Sequence, residues 1–238
     1  MRESLRETTA TEREESGRGP AAEAVTLFPA FLKLAERSCL VVGAGTVGQS
    51  KIEGLLAAGA RITVVAPQAT EAVQTWARTG RLRWHARPFA SSDLEGAFLT
   101  VVATPFRELN EMVFQQAQRC SVLCNVVDDP PRCDFYYPAV VRRGALQIAI
   151  STDGKSPALA QRLRRELEGE FGPLYQGWIE ELGRERKRLF AQPIDPAVRK
   201  QLLHSMASRA SFEEFSRRWG SREVAGAPGS KEGTHHER

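Results

Sequence analysis

Three glycines, Gly43, Gly45 and Gly48, follow a short apolar run and constrain this chain more than any other feature. The run from Cys39 to Val42 predicts a buried parallel strand, and the G-x-G-x-x-G spacing is typical of a turn that opens a dinucleotide-binding helix. The first glycine permits a tight turn. The second lets a pyrophosphate approach the backbone, and the third lets helix and strand pack closely.

The segment after the turn strengthens this interpretation. Ile52, Leu55 and Leu56 recur at helical spacing, and Gly59 marks the stop, so we predict a helix over 46–58. Its first N–H groups would face the phosphates. The alternative, a structural turn in another kind of α/β domain, stays open at this point.

Further β-rich and helical runs alternate along the chain and predict an α/β fold built on a Rossmann-type parallel sheet. A short α+β segment and a helical C-terminal region follow. The predicted domains are a Rossmann NAD-binding domain, the short segment and the helical region, between a disordered N-terminal and a disordered C-terminal tail: 26–136, 137–171, 172–220, 1–25 and 221–238.

Ligands in open α/β sheets bind outside the carboxyl ends of the strands, which directs attention to the residues there. Thr104 follows the fourth predicted strand and is placed to meet the cofactor. The second strand is predicted to end at Ala66, where Pro67 stops it. The Asp or Glu usual at this point in NAD sites is missing, although Gln68 offers a hydrogen bond. No Arg follows directly to accept a 2′-phosphate, so NAD is favoured over NADP.

Two adjacent carboxylates, Asp128 and Asp129, follow the fifth predicted strand. Such a position suits a catalytic acid or base, but either residue could equally cap the turn before the next two prolines. Position alone leaves the two interpretations even.

A second polar segment precedes a predicted helix that runs to about Glu170. Ser156 as N-cap with Pro157 at the first helical position is a strong helix start. The free N–H groups, Lys155 and nearby hydroxyls make a fair anion site. Ordinary capping explains the same residues.

Composition narrows the class of protein. Of the 238 residues, 42% are hydrophobic and 26% charged, and no apolar run is long enough to cross a bilayer. The net charge of +4 comes from scattered arginines without a basic stripe, which favours an anionic small molecule over nucleic acid, with a merely solvated surface as the alternative. The four cysteines lack zinc-type spacing and are expected to be reduced core thiols, as in the cytoplasm.

Several motifs together resemble one family, the precorrin-2 dehydrogenases and sirohydrochlorin ferrochelatases, which also form the N-terminal module of sirohaem synthases. The resemblance covers nearly all of 28–170. Its motifs are Phe28-Pro29 with Leu32, VVGAGTVGQSK, VVAP, the segment from Ala103 to Asn110, CNVVDDP from Cys124 to Pro130, and ISTDGKSPALA from Ile150 to Ala160.

The resemblance implies NAD-dependent oxidation of precorrin-2 to sirohydrochlorin, towards sirohaem or cobalamin. It assigns the acid/base role to Asp128. In the family, the places that line the cofactor fall here on Thr46, Val47, Pro67 and Gln68, and the loop near the tetrapyrrole falls on 151–156. With the residues argued above, the predicted cofactor-binding residues are Gly43, Gly45, Thr46, Val47, Gly48, Pro67, Gln68 and Thr104, and the predicted substrate-binding residues are Asn125, Ser151, Thr152, Gly154, Lys155 and Ser156.

The family also implies a homodimer in which 137–171 exchanges contacts between chains. Thr104-Pro105-Phe106 departs from the Thr-Asp-Asp often found in the family, and no methyltransferase module follows, so a stand-alone enzyme is expected. No resident metal site is predicted, and whether ferrous iron is a second substrate stays open. The competing hypotheses are an NAD(H)-sensing module without catalysis and a ferrochelatase without NAD.

Overall fold

The computed structural model describes residues 26–226, with side chains described as far as residue 219. The chain divides into two units after Phe31. In the first unit, residues 26–31 are described and form neither helix nor strand. Every element named below belongs to the second unit. The predicted N-terminal tail, 1–25, and residues 227–238 of the predicted C-terminal tail, 221–238, lie outside the described residues.

The predicted parallel sheet is confirmed, with five strands in the order β3-β2-β1-β4-β5. This is the doubly wound order, in which the chain reverses its direction of progress between β1 and β4. The strands are β1 Ser38–Ala44, β2 Arg61–Ala69, β3 Arg83–His85, β4 Leu99–Val102 and β5 Leu123–Val126, and the helices between them are α1 Thr46–Ala57, α2 Glu71–Arg78 and α3 Arg107–Arg119.

Burial explains why these runs form central strands. All four residues of β4 are buried, and successive residues of β1 enter different apolar clusters. Cys39 and Val41 belong to one cluster, whereas Leu40 and Val42 belong to the other. Because side chains alternate across a strand, the two clusters lie on opposite faces, and the sheet is buried on both.

The sequence-based end of β2 is wrong by three residues. The strand continues through Pro67 to Ala69, and Ala44 pairs with Ala69 after a register shift. The Thr70 N–H donates to the Ala44 carbonyl at 3.0 Å, which ties the end of β2 to the start of the glycine turn. Pro67, which lacks an N–H, is accommodated beside this irregularity.

An antiparallel hairpin and four helices follow the parallel sheet. The hairpin is β6 Ala139–Arg143 and β7 Leu146–Ile150, and the helices are α4 Pro157–Glu170, α5 Leu174–Phe190, α6 Pro196–Met206 and α7 Arg209–Gly226. Helix α7 therefore extends beyond the predicted end of the helical region at residue 220. Within the part of the chain that the structure describes, no helix is long and apolar enough to cross a membrane.

Candidate active site

The glycine turn leaves β1 with the geometry that its spacing predicts. Gly43 has a φ of +99°, in the region that favours glycine, and a Cβ there would overlap the carbonyl oxygen of Ala103. A Cβ on Gly48 would overlap the carbonyl oxygen of Gly43. These two glycines are therefore required by close packing of the turn against β4 and against itself.

Gly45 differs from its two neighbours because the protein leaves it room. A Cβ on Gly45 would meet no atom within 4 Å, and its φ of −73° suits any residue. The requirement for glycine here is consistent with close approach of a ligand to the backbone. The structure thus separates Gly45, which no neighbouring protein atom constrains, from two glycines that are required by packing.

The start of α1 has the character of an anion site. Gly45 is the N-cap without a capping side chain, and the first turn holds no acidic residue. Gln49 N donates to Gly45 O at 2.8 Å, which is the first hydrogen bond of the helix. The N–H groups of Thr46, Val47 and Gly48 come before it and have no acceptor within the helix. These groups and the helix dipole fit a pyrophosphate.

The other cofactor candidates flank the same edge of the sheet. Pro67 and Gln68 are exposed near the end of β2. The Thr104 hydroxyl donates to Asn110 Oδ1 at 2.5 Å, and the Phe106 N–H donates to the Thr104 hydroxyl at 3.2 Å. Thr104 therefore braces the start of α3, and its hydroxyl hydrogen is already engaged.

A cleft of about 340 Å³ opens at the carboxyl end of β5. It brings together residues that are distant in sequence: the end of β5, the loop after it, the start of the hairpin and the loop before α4. Five residues predicted from the sequence line it, namely Asp128, Asn125, Ser151, Thr152 and Gly154. Lys155 and Ser156 are not among its lining residues, and the glycine turn lies beside it along the same sheet edge.

The register of the sheet sets the spacing between the two parts of the site. Val42, Val102 and Val126 stand side by side on β1, β4 and β5. Neighbouring strands lie about 4.8 Å apart, so the ends of β1 and β5 are separated by about 10 Å. The glycine turn and Asp128 are thus at one level and within the span of a bound dinucleotide and its substrate.

The structure distinguishes the two aspartates that position alone could not. The Asp129 carboxylate accepts a hydrogen bond from Arg132 Nη1 at 2.8 Å, and Arg132 also pairs with Glu111 on α3. Asp128 is exposed, lines the cleft and has a φ of +61°. A non-glycine residue in the left-handed region is uncommon and concentrates at functional sites, which favours Asp128 for chemistry.

A network beneath Asp128 holds the loop in place. Asn125 Nδ2 donates to the Phe135 carbonyl at 2.7 Å and contacts Cys133 Sγ at 3.3 Å. The Cys133 thiol donates to the Val126 carbonyl at 3.2 Å. Asn125 was predicted to bind substrate, but its amide N–H groups are engaged in this support of the loop.

Lys51 lines the cleft, and sequence reasoning did not single it out. It lies on α1 three residues after Gly48 and four before Leu55, both of which are buried. Its ammonium stands 4.0 Å from the centroid of the Tyr137 ring. The available signal was this helical spacing, which places a lysine on the face of α1 that packs inward.

The segment before α4 behaves as a cap and as part of the cleft. Ser156 Oγ accepts from the Leu159 N–H at 3.3 Å, and the Ser156 N–H donates to Thr152 Oγ1 at 3.1 Å. Lys155 is exposed and lies 3.9 Å from Asp153. The predicted N-cap is confirmed, and the hydroxyl of Ser156 is used in it.

The four cysteines are free thiols, but they are not all in the core. Cys39 and Cys124 are buried, Cys133 is partly buried and Cys120 is exposed at the end of α3, so the expectation of core thiols is wrong for Cys120. Among the described residues, no group of three or more His, Cys, Asp or Glu side chains is placed to hold a metal ion.

Taken together, the strand order, the glycine turn and the adjoining cleft define a dinucleotide-binding protein of the Rossmann class. A family model described as NAD(P)-binding matches residues 30–139, and one described as the central domain of sirohaem biosynthesis proteins matches residues 143–170. The first match ends and the second begins within β6, and residues from both matched ranges line the cleft.

Two siroheme synthases are among the relatives of this chain. Siroheme synthase 1 of Serratia proteamaculans is 36% identical over 79% of this chain and 37% of its own length. Siroheme synthase 1 of Pectobacterium atrosepticum is 38% identical over 87% of this chain and 41% of its own length. The chain thus spans less than half the length of these synthases.

A solved structure, that of SirC, precorrin-2 dehydrogenase, is similar over 82% of this chain and 100% of its own, with a TM-score of 0.68 and 29% identity. The chain belongs to the family of sirohaem synthases and precorrin-2 dehydrogenases.

Proposed function

We propose that this protein is an NAD-dependent dehydrogenase that oxidises precorrin-2 to sirohydrochlorin. The observation that carries the proposal is the placement of Asp128, in a left-handed conformation and facing a cleft, at the same sheet edge as the glycine turn. The relatedness to a precorrin-2 dehydrogenase structure and to siroheme synthases supplies the identity of the substrate.

The residues around the turn fit the dinucleotide. The N–H groups of Thr46, Val47 and Gly48 would hold the pyrophosphate, and the open space at Gly45 admits it. Pro67 and Gln68 flank the ribose position, with Gln68 in place of the usual acid. When bound, NAD supplies the hydride acceptor for the oxidation.

Asp128 is proposed to accept the proton that leaves the macrocycle as the hydride is transferred. A carboxylate suits this role when it lies within hydrogen-bond reach of the proton. Asp129 is a poorer candidate because Arg132 already occupies its carboxylate. Ser151, Thr152 and Gly154, which line the cleft, would contact the tetrapyrrole, and Lys155 and the start of α4 lie next to them.

The proposal includes a homodimer and a reducing compartment. In the described chain, β6 and β7 form a sheet of two strands with no third strand, and α4 and α5 pack against it. Each strand therefore keeps one edge without a strand partner, and a two-fold partner over 137–171 would cover such an edge. All four cysteines are free, as expected in the cytoplasm. Light scattering on a sizing column would report the dimer, and a monomer at micromolar concentration would count against it.

The direct test is an anaerobic incubation of the purified protein with precorrin-2 and NAD. NADH absorbance should rise in step with the sirohydrochlorin spectrum. If NAD binds but no NADH forms, the sensing module becomes the better hypothesis. Ferrous iron added afterwards tests the second reaction, because sirohaem formed faster than the spontaneous rate would establish iron insertion.

A further inference from the structure

Lys51 provides the positive charge of the cleft. Of the residues that line it in the described part of the chain, Lys51 is the only lysine or arginine, whereas two are aspartates. Arg132 neutralises one of these, Asp129, from outside the lining. The cleft therefore presents one ammonium and one unpaired carboxylate, that of Asp128.

The surroundings of the ammonium leave its hydrogen-bonding capacity unused. Lys51 is partly buried. Among the described residues, no carboxylate oxygen lies within 4.0 Å of its Nζ, the distance at which the two groups would form an ion pair. Its Nζ lies over the face of the Tyr137 ring, 4.0 Å from the centroid. This is a cation–π contact and not a hydrogen bond, so the N–H groups of the ammonium stay available to a ligand. Burial lowers the pKa of Lys51, and the charge of Asp128 opposes that shift.

Desolvating part of an ammonium group costs free energy when no ion-pair partner is present, and a bound anionic ligand would offset that cost. An anionic substrate faces the complementary difficulty, because the Asp128 carboxylate would repel it. A cation in the same cleft removes both penalties. Lys51 lies five residues beyond Thr46, about 7.5 Å along the axis of α1, and it lines the same cleft as Asp128.

We propose that Lys51 is a substrate-binding residue whose ammonium, held against the Tyr137 ring, pairs with a carboxylate of the tetrapyrrole beside Asp128. This inference rests on the proposed function and names the residue that holds the substrate against the catalytic carboxylate. The contact with the Tyr137 ring favours a cation at this position, and a substrate carboxylate would give that cation an ion-pair partner.

The experiment compares Lys51→Met, Lys51→Arg and Lys200→Met. Lys200 is exposed on α6 and does not line the cleft, so it controls for loss of one positive charge. For Lys51→Met we expect the KM for precorrin-2 to rise about tenfold or more, as for a lost hydrogen bond to a charged group. We expect kcat within about threefold and NAD affinity unchanged, since neither the proton acceptor nor the turn is altered.

Two further readouts separate binding from a structural role. Lys51→Arg should recover most of the affinity because the charge is kept, and raising the salt concentration should increase KM less in Lys51→Met than in the wild type. Melting temperatures of the variants identify any that are misfolded. If Lys51→Met is misfolded, the folded Lys51→Gln variant replaces it with the same expectation.

The outcomes distinguish this inference from the proposed function. A wild type that oxidises precorrin-2, with an unchanged KM in folded Lys51→Met, overturns the role of Lys51 and leaves the enzyme intact. A fall in kcat at constant KM also overturns it. A wild type that binds NAD but neither oxidises precorrin-2 nor binds sirohydrochlorin overturns the proposed function, and this inference with it.

Discussion

Strands β1 and β5 end at the same edge of one sheet, and each has a residue with a positive φ at or near its end. In β1 that residue is Gly43, the last but one of the strand, with a φ of +99°. After β5 it is Asp128, with a φ of +61°. Glycine adopts this conformation at little cost, whereas an aspartate there is strained. This difference fits the proposed function, in which the end of β1 would bind the cofactor through its backbone and the end of β5 would react through a side chain.

The support beneath the two ends differs in the same way. The glycine turn is held by its own backbone and by close packing against Ala103. The loop after β5 depends on side chains from distant positions, among them Arg132 with Glu111, and Asn125 with the Phe135 carbonyl. Strain at Asp128 therefore persists because the surrounding contacts fix the loop.

The largest expected effect is on the β5 side. Asp128→Asn keeps the shape of the side chain and tolerates the left-handed conformation, so the loop should be unchanged. Without a proton acceptor, we expect turnover of precorrin-2 to fall by about 10²–10⁴-fold. NAD affinity should stay at the wild-type value. Steady-state kinetics and calorimetric NAD titration measure the two quantities.

Asp129→Asn is the matched control for that variant. It removes the ion pair with Arg132, so the free energy of unfolding should fall slightly. Turnover should fall far less than in Asp128→Asn. The reverse order of turnover would assign the chemistry to Asp129 and contradict the comparison of the two carboxylates.

On the β1 side, Gly43→Ala should act on the fold. The new Cβ would overlap the Ala103 carbonyl and would sit at a positive φ. We expect the free energy of unfolding to fall by about 2–4 kcal/mol. Urea denaturation measures it. Wild-type stability would show that the turn can relax and is not fixed by packing.

Gly45→Ala is a smaller change at the same turn with a different expected result. Because no protein atom lies within 4 Å of the added Cβ, stability should change by less than about 0.5 kcal/mol. NAD affinity should fall about tenfold, since the methyl group interferes with a charge-assisted hydrogen bond from backbone to phosphate. Calorimetric titration is the check, and undiminished affinity would remove Gly45 from the cofactor site.

The smallest expected effect is on the pH dependence of stability. It concerns one buried thiol on β1 and one on β5. Burial raises the pKa of Cys39 on β1 to about 11 and that of Cys124 on β5 to about 12, against an ordinary value of 9.0. Above pH 9 the unfolded thiols ionise first, so stability is complete below pH 9 and is lost as the pH rises towards the folded values.

Each thiol should account for about 1 kcal/mol of this loss by pH 10. Cys39→Ala and Cys124→Ala should each flatten the fall in unfolding free energy between pH 8.5 and about 10 in denaturant titrations. The slope is the readout, because the baseline stability also changes when a buried side chain is shortened. An identical slope in either variant would show that its thiol ionises at an ordinary pKa.

The sequence by itself determined the strands and helices of the sheet, the glycine turn and the start of α4. These features depend on neighbours in the chain: apolar runs, glycine spacing, and Ser156 before Pro157. The same local reasoning placed Asp128 and Asp129 at a strand end and could not separate them, because what differs between them is a pairing with Arg132 and, through it, with α3.

Only the tertiary structure decided the composition of the cleft. Lys51 comes from α1, Asp128 from the end of β5, Tyr137 from the start of the hairpin and Thr152 from the loop before α4. Their meeting depends on the strand order and on how the hairpin and α4 pack, which no local pattern encodes. The extension of β2 past Pro67 has the same origin, since the partner that continues the strand is Ala44 at the glycine turn.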